Sequence, residues 1–183
     1  MPKLIIGLVG KIASGKGTVA SYLADKHQAE VFGFSTPLRD VLKRLYQDAS
    51  RPNMASLSET LRQLFGQDLL SRTVTQDLQQ AKSDIAVLDG IRRLPDIEGA
   101  KKLPNFKLVQ VVTEEKNRYE RLTKRNQNPD DATKTFEDFL ADEQKEADRG
   151  IPEIMKLAEF TLDNDGDLNS LYTQIEELLT KLK

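Results

Sequence analysis

Residues 10–18 read Gly-Lys-Ile-Ala-Ser-Gly-Lys-Gly-Thr, which satisfies the pattern G-x-x-x-x-G-K. Glycines in such a turn let successive backbone N–H groups point at phosphate oxygens, and a helix that starts there adds its positive dipole end. The ammonium group of Lys16 can bridge the β- and γ-phosphates of a nucleoside triphosphate. This segment, the phosphate loop, therefore predicts triphosphate binding by the following residues: Gly10, Ala13, Ser14, Gly15, Lys16, Gly17 and Thr18.

An acidic residue, Asp89, directly follows the apolar run of residues 85–88. Ligands of open α/β sheets bind at the carboxyl ends of the strands, where Asp89 is expected to lie. A carboxylate beside a bound triphosphate can position Mg²⁺, which usually keeps several of its waters. The sequence therefore predicts that Asp89 holds magnesium through water. The alternative is an aspartate that only forms part of the turn at the strand end.

Three arginines, Arg118, Arg121 and Arg125, lie on one predicted helix over residues 114–126. Arg121 and Arg125 are four residues apart and therefore share a helix face. Phosphoryl transfer spreads negative charge over the moving group, and arginines that close over it can neutralise that charge. Acidic residues of the next predicted helix are alternative partners for these arginines: Asp138, Asp142, Glu143 and Glu146.

The amino-acid composition excludes several kinds of site and partner. The chain has 183 residues, a formal net charge of −2 and a single histidine, His27. It lacks cysteine, which excludes disulfides, zinc–thiolate sites and thiol catalysis. The small negative charge argues against nucleic acid or anionic membrane as a partner. No apolar run reaches 18 residues, so we expect a cytoplasmic protein without a membrane span.

The elements needed to position these residues can be predicted from the apolar patterning. Continuous apolar runs indicate strands that are buried on both faces, and segments of helical period separate them. We expect strands over 4–9, 30–34, 85–88, 106–112 and 159–162. We expect helices over 16–27, 114–126, 134–148, 151–157 and 167–182, with two more between 56 and 82 that break near Gly66. One further helix should run to about Tyr46, with its N-cap in Ser35-Thr36 and Pro37 at its first helical position. His27 and the Lys101-Lys102 pair are expected at the surface. The alternation predicts an α/β fold with a parallel sheet.

Several motifs resemble P-loop nucleoside monophosphate kinases. Gly15-Lys16-Gly17-Thr18 resembles the loop of adenylate kinases, in which magnesium is held largely through water. Asp89-Gly90-Ile91-Arg92-Arg93 is similar to their Asp-Gly-Phe-Pro-Arg segment. That resemblance implies that Arg92 or Arg93 binds the phosphate of the acceptor. It also implies a three-layer α/β/α fold with a five-stranded parallel sheet in the order 2-3-1-4-5.

Other segments resemble individual branches of the same superfamily. Residues 34–39 look like a shortened acceptor segment of adenylate kinases, which implies that Thr36 contacts the acceptor nucleotide and Arg39 contacts its phosphate. Arg62 lies in a segment similar to a helix of phage deoxynucleoside monophosphate kinases. A solvated helix face is the alternative for both arginines. Residues 158–168 closely resemble the last strand and turn of dephospho-CoA kinases, which implies that Asp165 and Gly166 pass the adenine of ATP.

The resemblance implies one kinase domain over residues 1–183, with a helical acceptor-binding lobe over about 35–80 and a short lid over about 118–150. The implied reaction transfers the γ-phosphoryl group of ATP, with Mg²⁺, to a nucleoside monophosphate acceptor. Lys16, Asp89, Arg121 and Arg125 are the expected catalytic residues. Dephospho-CoA kinase is one alternative, and an adenylate-kinase-like ATPase that acts as an assembly factor or switch is another. Both a monomer and a homodimer fit the sequence.

Overall fold

The computed structural model describes residues 1–125, 134–143 and 149–182, without the side chains of Arg125, Asp142 and Glu143. In these residues, five parallel strands form one sheet in the order β2-β3-β1-β4-β5, which confirms the predicted fold. The strands are β1 (Leu4–Val9), β2 (Glu30–Gly33), β3 (Ile85–Asp89), β4 (Phe106–Val112) and β5 (Phe160–Asp163). The helices are α1 (Lys16–His27), α2 (Ser35–Arg44), α3 (Arg51–Phe65), α4 (Leu69–Gln80), α5 (Leu94–Glu98), α6 (Glu115–Arg125), α7 (Phe136–Glu143), α8 (Ile151–Met155) and α9 (Leu168–Leu182), with a 3-10 turn at Ala100–Lys102.

The central strand β1 is apolar along its whole length because both faces of the sheet are covered. Neighbouring residues of β1 point to opposite faces, so Ile5 belongs to one hydrophobic cluster and Ile6 to the other. The first cluster includes Leu78 and Ile97, and the second includes Leu171. Burying each such side chain stabilises the fold by roughly 1.5–3 kcal/mol. This two-sided core fixes the carboxyl edge of the sheet, from which the candidate site residues project.

Two helices begin earlier than their sequence patterns predict. Phe34 already has helical backbone angles, φ −62° and ψ −19°, so α2 begins at Ser35 and Ser35 is not its N-cap. Pro37 falls within the first turn, where no backbone donor is required. The predicted loop before residue 56 is partly helical, because Ser50 caps α3 by accepting a hydrogen bond from Asn53 N. As predicted, α3 and α4 separate near Gly66, whose φ is +100°.

The short helix α5 was not predicted, because five residues carry too little periodicity. It starts at a capping box in which the buried carboxylate of Asp96 accepts hydrogen bonds from the backbone N–H groups of Arg92 and Arg93, at 3.1 and 3.0 Å. This cap fixes the backbone that follows the end of β3. In the part of the chain that the structure describes, no helix is long and apolar enough to span a membrane.

Candidate nucleotide site

The phosphate loop links the end of β1 to the start of α1, as its sequence predicts. Ala13 and Gly15 adopt left-handed backbone angles, with φ of +59° and +98°. Alternation of left-handed and right-handed residues makes successive N–H groups converge into an anion-binding nest. Lys16 Nζ donates to the carbonyl oxygens of Gly10 and Lys11, at 2.6 and 3.1 Å. The ammonium group is thereby held across the mouth of the loop.

The glycines of the loop differ in how much space a side chain would have at each position. A Cβ on Gly10 would lie 2.5 Å from the Val111 carbonyl oxygen and 2.7 Å from Ser14 Oγ, so that position has no room for a side chain. A Cβ on Gly15 would collide with the amide nitrogen of Asn164. Gly17 has nothing within 4 Å of that position. The residue after the lysine therefore faces open space and supplies no side-chain ligand.

Side chains from outside the loop hold its carbonyl groups. Asn164 Nδ2 donates to the Ser14 carbonyl oxygen at 2.8 Å, and Thr113 Oγ1 lies 2.9 Å from the same oxygen. Arg118 Nη1 donates to the Ile12 carbonyl oxygen at 3.3 Å. Thr113 follows β4 and Asn164 follows β5, so both come from the carboxyl edge of the sheet.

Arg118, the first arginine of α6, is buried. Its side chain is only 1% exposed, and Nε donates to the Thr113 carbonyl oxygen at 3.1 Å. Its guanidinium lies over the ring of Phe139, a fully buried residue of α7, at 5.1 Å from the ring centroid. Cation–π contacts of this kind stabilise a desolvated cation. Arg118 thus joins α6 and α7 to the phosphate loop.

A cleft of about 270 Å³ opens between the start of α1 and the turn after β5. Arg121 lies in this cleft, where Nη2 donates to the Asn164 carbonyl oxygen at 2.6 Å. The guanidinium is therefore fixed against the turn instead of projecting freely. The lining residues are Gly15, Thr18, Arg121, Asn164, Gly166, Asp167 and Leu168.

Asp165 turns away from this cleft toward the start of α6. Its Oδ1 accepts hydrogen bonds from Asn117 Nδ2 at 2.9 Å and from Glu114 N at 2.8 Å. The Asn117 hydrogen bond is the main cause of a lowered Asp165 pKa, with smaller contributions from Glu114 N and the charge of Arg121, while burial opposes the shift. The carboxylate thus fixes α6 relative to the turn, whereas Gly166 lines the cleft.

The second predicted lid arginine, Arg125, ends α6, and its side chain lies outside the described residues. The same holds for the side chains of Asp142 and Glu143 and for the whole of Glu146. Asp138, a fourth acidic residue of that predicted helix, accepts from the hydroxyl and the backbone N–H of Thr135 instead. The pairing of Arg125 therefore stays a prediction.

Asp89 ends β3 directly beside the strand that leads into the phosphate loop, since Leu88 pairs with Gly7 of β1. Its Oδ1 is buried and, among the described residues, has no hydrogen-bond partner. An orphaned carboxylate oxygen at this edge fits a hydrated magnesium ion, which would satisfy it through water. The described residues contain no group of three or more acidic or histidine side chains placed to hold a metal ion. The donor phosphates would therefore have to supply the remaining ligands.

The predicted acceptor residues come from the neighbouring end of β2. Gly33 pairs with Asp89, so α2 starts next to the candidate magnesium ligand. Thr36 and Arg39 are exposed on α2. Within the described part of the chain Arg39 makes no hydrogen bond or ion pair, so its charge is available to a ligand.

The other predicted acceptor arginines differ in how firmly they are held. Arg93 is half-buried and forms an ion pair with Asp96 at 3.6 Å, whereas Arg92 is exposed. Arg62 donates to Ser58 Oγ at 3.2 Å and to the Gln67 carbonyl oxygen at 2.9 Å, so it stabilises the turn between α3 and α4. These contacts show that Arg62 stabilises the fold locally, and its binding of the acceptor stays a prediction.

Sequence reasoning missed several residues around the loop: Thr113, Arg118, Asn164, Asp167 and Leu168. A signal existed for Thr113 and Asn164, because Thr113 directly follows one predicted strand and Asn164 lies two residues beyond the end of another. Asp167 caps the start of α9, because its Oδ1 accepts from Ser170 N at 2.8 Å. His27, expected at the surface, is half-buried and lies 2.8 Å from Glu176 Oε1.

Comparison with known proteins assigns a family. A UPF0200 protein of Sulfurisphaera tokodaii is 30% identical over 179 residues, which cover 97% of each chain. The chain belongs to the UPF0200 family. A UPF0200 protein of Staphylothermus marinus is 28% identical and covers 98% of this chain and 94% of that protein. No family model matches the chain.

Solved structures place this UPF0200 member in a known fold. TT1252 from Thermus thermophilus has a TM-score of 0.66 at 24% identity, over the full length of both chains. Shikimate kinase from Bacteroides thetaiotaomicron has a TM-score of 0.65 at 16% identity, over 98% of both. These likenesses confirm the resemblance to P-loop kinases at the level of the fold.

Proposed function

We propose that the protein is an ATP-dependent kinase that phosphorylates a nucleoside monophosphate. The observation that carries the proposal is the register of β2 against β3, in which Gly33 pairs with Asp89. That pairing brings the start of α2, with Thr36 and Arg39, next to the orphaned carboxylate and to the arginines that follow Gly90. An anionic acceptor would meet these cations beside the donor site.

The reaction requires little covalent chemistry from the protein. An oxygen of the acceptor phosphate attacks the γ-phosphorus, and the bond from that phosphorus to the oxygen bridging to the β-phosphate breaks, which releases ADP. The loop amides and Lys16 would hold the donor, and Arg39 with Arg92 or Arg93 would hold the acceptor. Arg121 lines the cleft in which the nucleoside of the donor would lie. Magnesium, positioned by Asp89, would neutralise charge on the donor phosphates.

Segments around the site fit the expected lobe and lid. The helices α2, α3 and α4 would form the acceptor-binding lobe over about 35–80, and α6 and α7 would form the lid over about 118–150. Closure of such a lid excludes water, which would otherwise compete with the acceptor for the γ-phosphoryl group.

A hydroxyl acceptor, as in dephospho-CoA kinase, is the second candidate. The orphaned Oδ1 of Asp89 favours it, because a hydroxyl must lose its proton to a base as it attacks, and a carboxylate without a partner can accept that proton. A phosphate acceptor needs no such base at neutral pH.

The test is ADP release from ATP and Mg²⁺ with a panel of acceptors and a reaction without acceptor. The panel contains ribonucleoside and deoxyribonucleoside monophosphates, dephospho-CoA and shikimate, and Lys16→Ala is the inactive control. Formation of a nucleoside diphosphate supports the proposal. Phosphorylation of dephospho-CoA or shikimate instead supports the hydroxyl acceptor. ATP hydrolysis that no acceptor stimulates would contradict both and support an ATPase switch.

A further inference from the structure

We infer that Arg118 and Asn164 are positioning residues that aim two backbone amides of the phosphate loop at the donor phosphates. The inference rests on the proposed binding of a nucleoside triphosphate by this loop. It concerns two buried side chains, 1% and 5% exposed, that lie behind the loop.

The argument begins with the carbonyl groups of the loop. Lys16 Nζ binds the oxygens of Gly10 and Lys11, Arg118 binds that of Ile12, and Asn164 binds that of Ser14. Of these bonds, those from Arg118 and Asn164 come from outside the loop, from the segments that follow β4 and β5. They therefore hold the loop against the sheet edge independently of its lysine.

Because the peptide bond is planar, a hydrogen bond that fixes a carbonyl group also fixes the direction of the next residue's N–H group. In a trans peptide the C=O of one residue and the N–H of the next point in opposite directions. Holding the Ile12 oxygen therefore aims Ala13 N–H away from Arg118, and holding the Ser14 oxygen aims Gly15 N–H away from Asn164. Both amides belong to residues with left-handed backbone angles, which is the geometry of an anion nest.

The hydrogen bonding of the Ala13 and Gly15 N–H groups is consistent with their pointing at a ligand. Within the described residues, the N–H groups of Ala13 and Gly15 donate to no protein atom. Neighbouring Ser14 N, in contrast, donates to the Lys11 oxygen at 3.2 Å. Two donors that lack a protein partner and that are fixed in direction are suited to phosphate oxygens.

Buried side chains such as Arg118 and Asn164 hold the loop carbonyl groups more firmly than exposed side chains would. Arg118 is packed against the Phe139 ring and bonded to the Thr113 oxygen. Asn164 is buried, and Arg121 binds its backbone oxygen. Neither side chain is free to swing away from the loop. The amides are therefore oriented before a ligand arrives, which lowers the ordering cost of binding.

The test measures the two parts of the ligand separately, by calorimetric titration with inorganic tripolyphosphate and with adenosine. Arg118→Met and Asn164→Leu should each weaken tripolyphosphate binding about tenfold or more, the value of a hydrogen bond to a charged group. Adenosine affinity should change less than about twofold in Arg118→Met, because Arg118 does not line the cleft proposed for the nucleoside. Arg118→Lys, which keeps a donor and a charge, should recover part of the loss. Arg72→Met, on the exposed face of α4, is the matched control and should change neither affinity.

Titration is made well below the unfolding temperature of each variant, so that a merely structural role can be recognised. Unchanged tripolyphosphate affinity in folded Arg118→Met and Asn164→Leu protein would overturn the inference, and so would an equal loss of adenosine affinity in Arg118→Met. Should Arg118→Met not fold, Thr113→Val, which removes the second donor to the Ser14 oxygen, takes its place beside Asn164→Leu. A wild-type protein that binds neither tripolyphosphate nor ATP would also overturn it. A protein that binds both as expected but phosphorylates no acceptor would contradict the proposed function alone.

Discussion

Asn164 Nδ2 donates to the carbonyl oxygen of Ser14 over 2.8 Å, and this bond links the turn after β5 to the loop after β1 across 150 residues of chain. The same amide nitrogen closes the space beside Gly15, so the loop fits against the turn only where no side chain intervenes. The turn and the loop therefore form one rigid unit at the sheet edge.

Gly15→Ala should destabilise the protein, because Gly15 has a φ of +98° and an added Cβ would collide with Asn164. The left-handed backbone alone costs about 1–2 kcal/mol for a non-glycine residue. For a chain of this size that corresponds to an unfolding temperature at least about 2–4 °C lower. Thermal unfolding is the measurement. Gly17→Ala is the matched control, since its Cβ would meet nothing within 4 Å, and equal losses in the two variants would contradict the prediction.

Glu176 should make stability depend on pH below about 4.5. Its pKa is lowered, first by the hydrogen bond from Tyr22 and then by the one with His27, at 2.7 and 2.8 Å. A carboxylate with a depressed pKa in the folded state contributes stability above its unfolded pKa, near 4.3, and loses that contribution as pH falls through the folded value. The stability that Glu176→Gln loses relative to wild type should therefore be largest at neutral pH and become smaller as the pH falls.

Thermal unfolding at several pH values checks this dependence. Glu177→Gln, an exposed neighbour with the same change of charge, is the control and should show no such pH dependence. A difference between Glu176→Gln and wild type that stays constant from pH 7 to pH 3 would show that ionisation of Glu176 does not stabilise the fold.

Arg121→Met should weaken the binding of ATP and adenosine while leaving tripolyphosphate binding nearly unchanged. The guanidinium lines the cleft and is fixed to the Asn164 oxygen, so it would contact the nucleoside. A cation over an aromatic ring contributes about 1–2 kcal/mol when desolvated, or about five- to thirtyfold in affinity. Lys124→Met, an exposed change on the same helix, is the control. A loss confined to tripolyphosphate would place Arg121 at the phosphates.

Local patterns were sufficient to predict the sheet and the phosphate loop. Strand β1, which is covered on both faces, is apolar throughout, so residues such as Ile5 and Ile6 mark it directly. The loop requires glycine at Gly10, which approaches Val111, and at Gly15, where the left-handed backbone lies against Asn164, so this spacing is visible in the sequence. Both signals arise within a few neighbouring residues.

The roles of individual arginines could not be predicted in this way. Arg118, Arg121 and Arg125 are similar in a helical pattern, yet Arg118 is buried because a ring from α7 and a carbonyl from the loop surround it. Those partners are 21 and 106 residues away along the chain. Ser35 failed as a cap for a local reason, since Phe34 already has helical angles. Contacts distant in sequence decide between chemically identical side chains.

Asp96→Asn should raise the KM of the acceptor while leaving the KM of ATP within about twofold. The buried carboxylate caps α5 and pairs with Arg93, so it fixes the segment on which both candidate acceptor arginines lie. The amide keeps an acceptor for the capped N–H groups but loses the ion pair, and we expect about a three- to tenfold higher acceptor KM, the value of about one modest charge interaction.

Steady-state kinetics measure the two KM values of Asp96→Asn separately. The acceptor concentration is varied at saturating ATP, and the ATP concentration is varied at saturating acceptor. Glu98→Gln, an exposed change on the same helix, controls for altered charge near the site. An equal rise in both KM values would mean that Asp96 supports the fold as a whole, and an unchanged acceptor KM would mean that Arg93 does not hold the acceptor. A selective rise would instead link the end of β3 to acceptor binding, as expected if the orientation of Arg93 depends on the cap of α5.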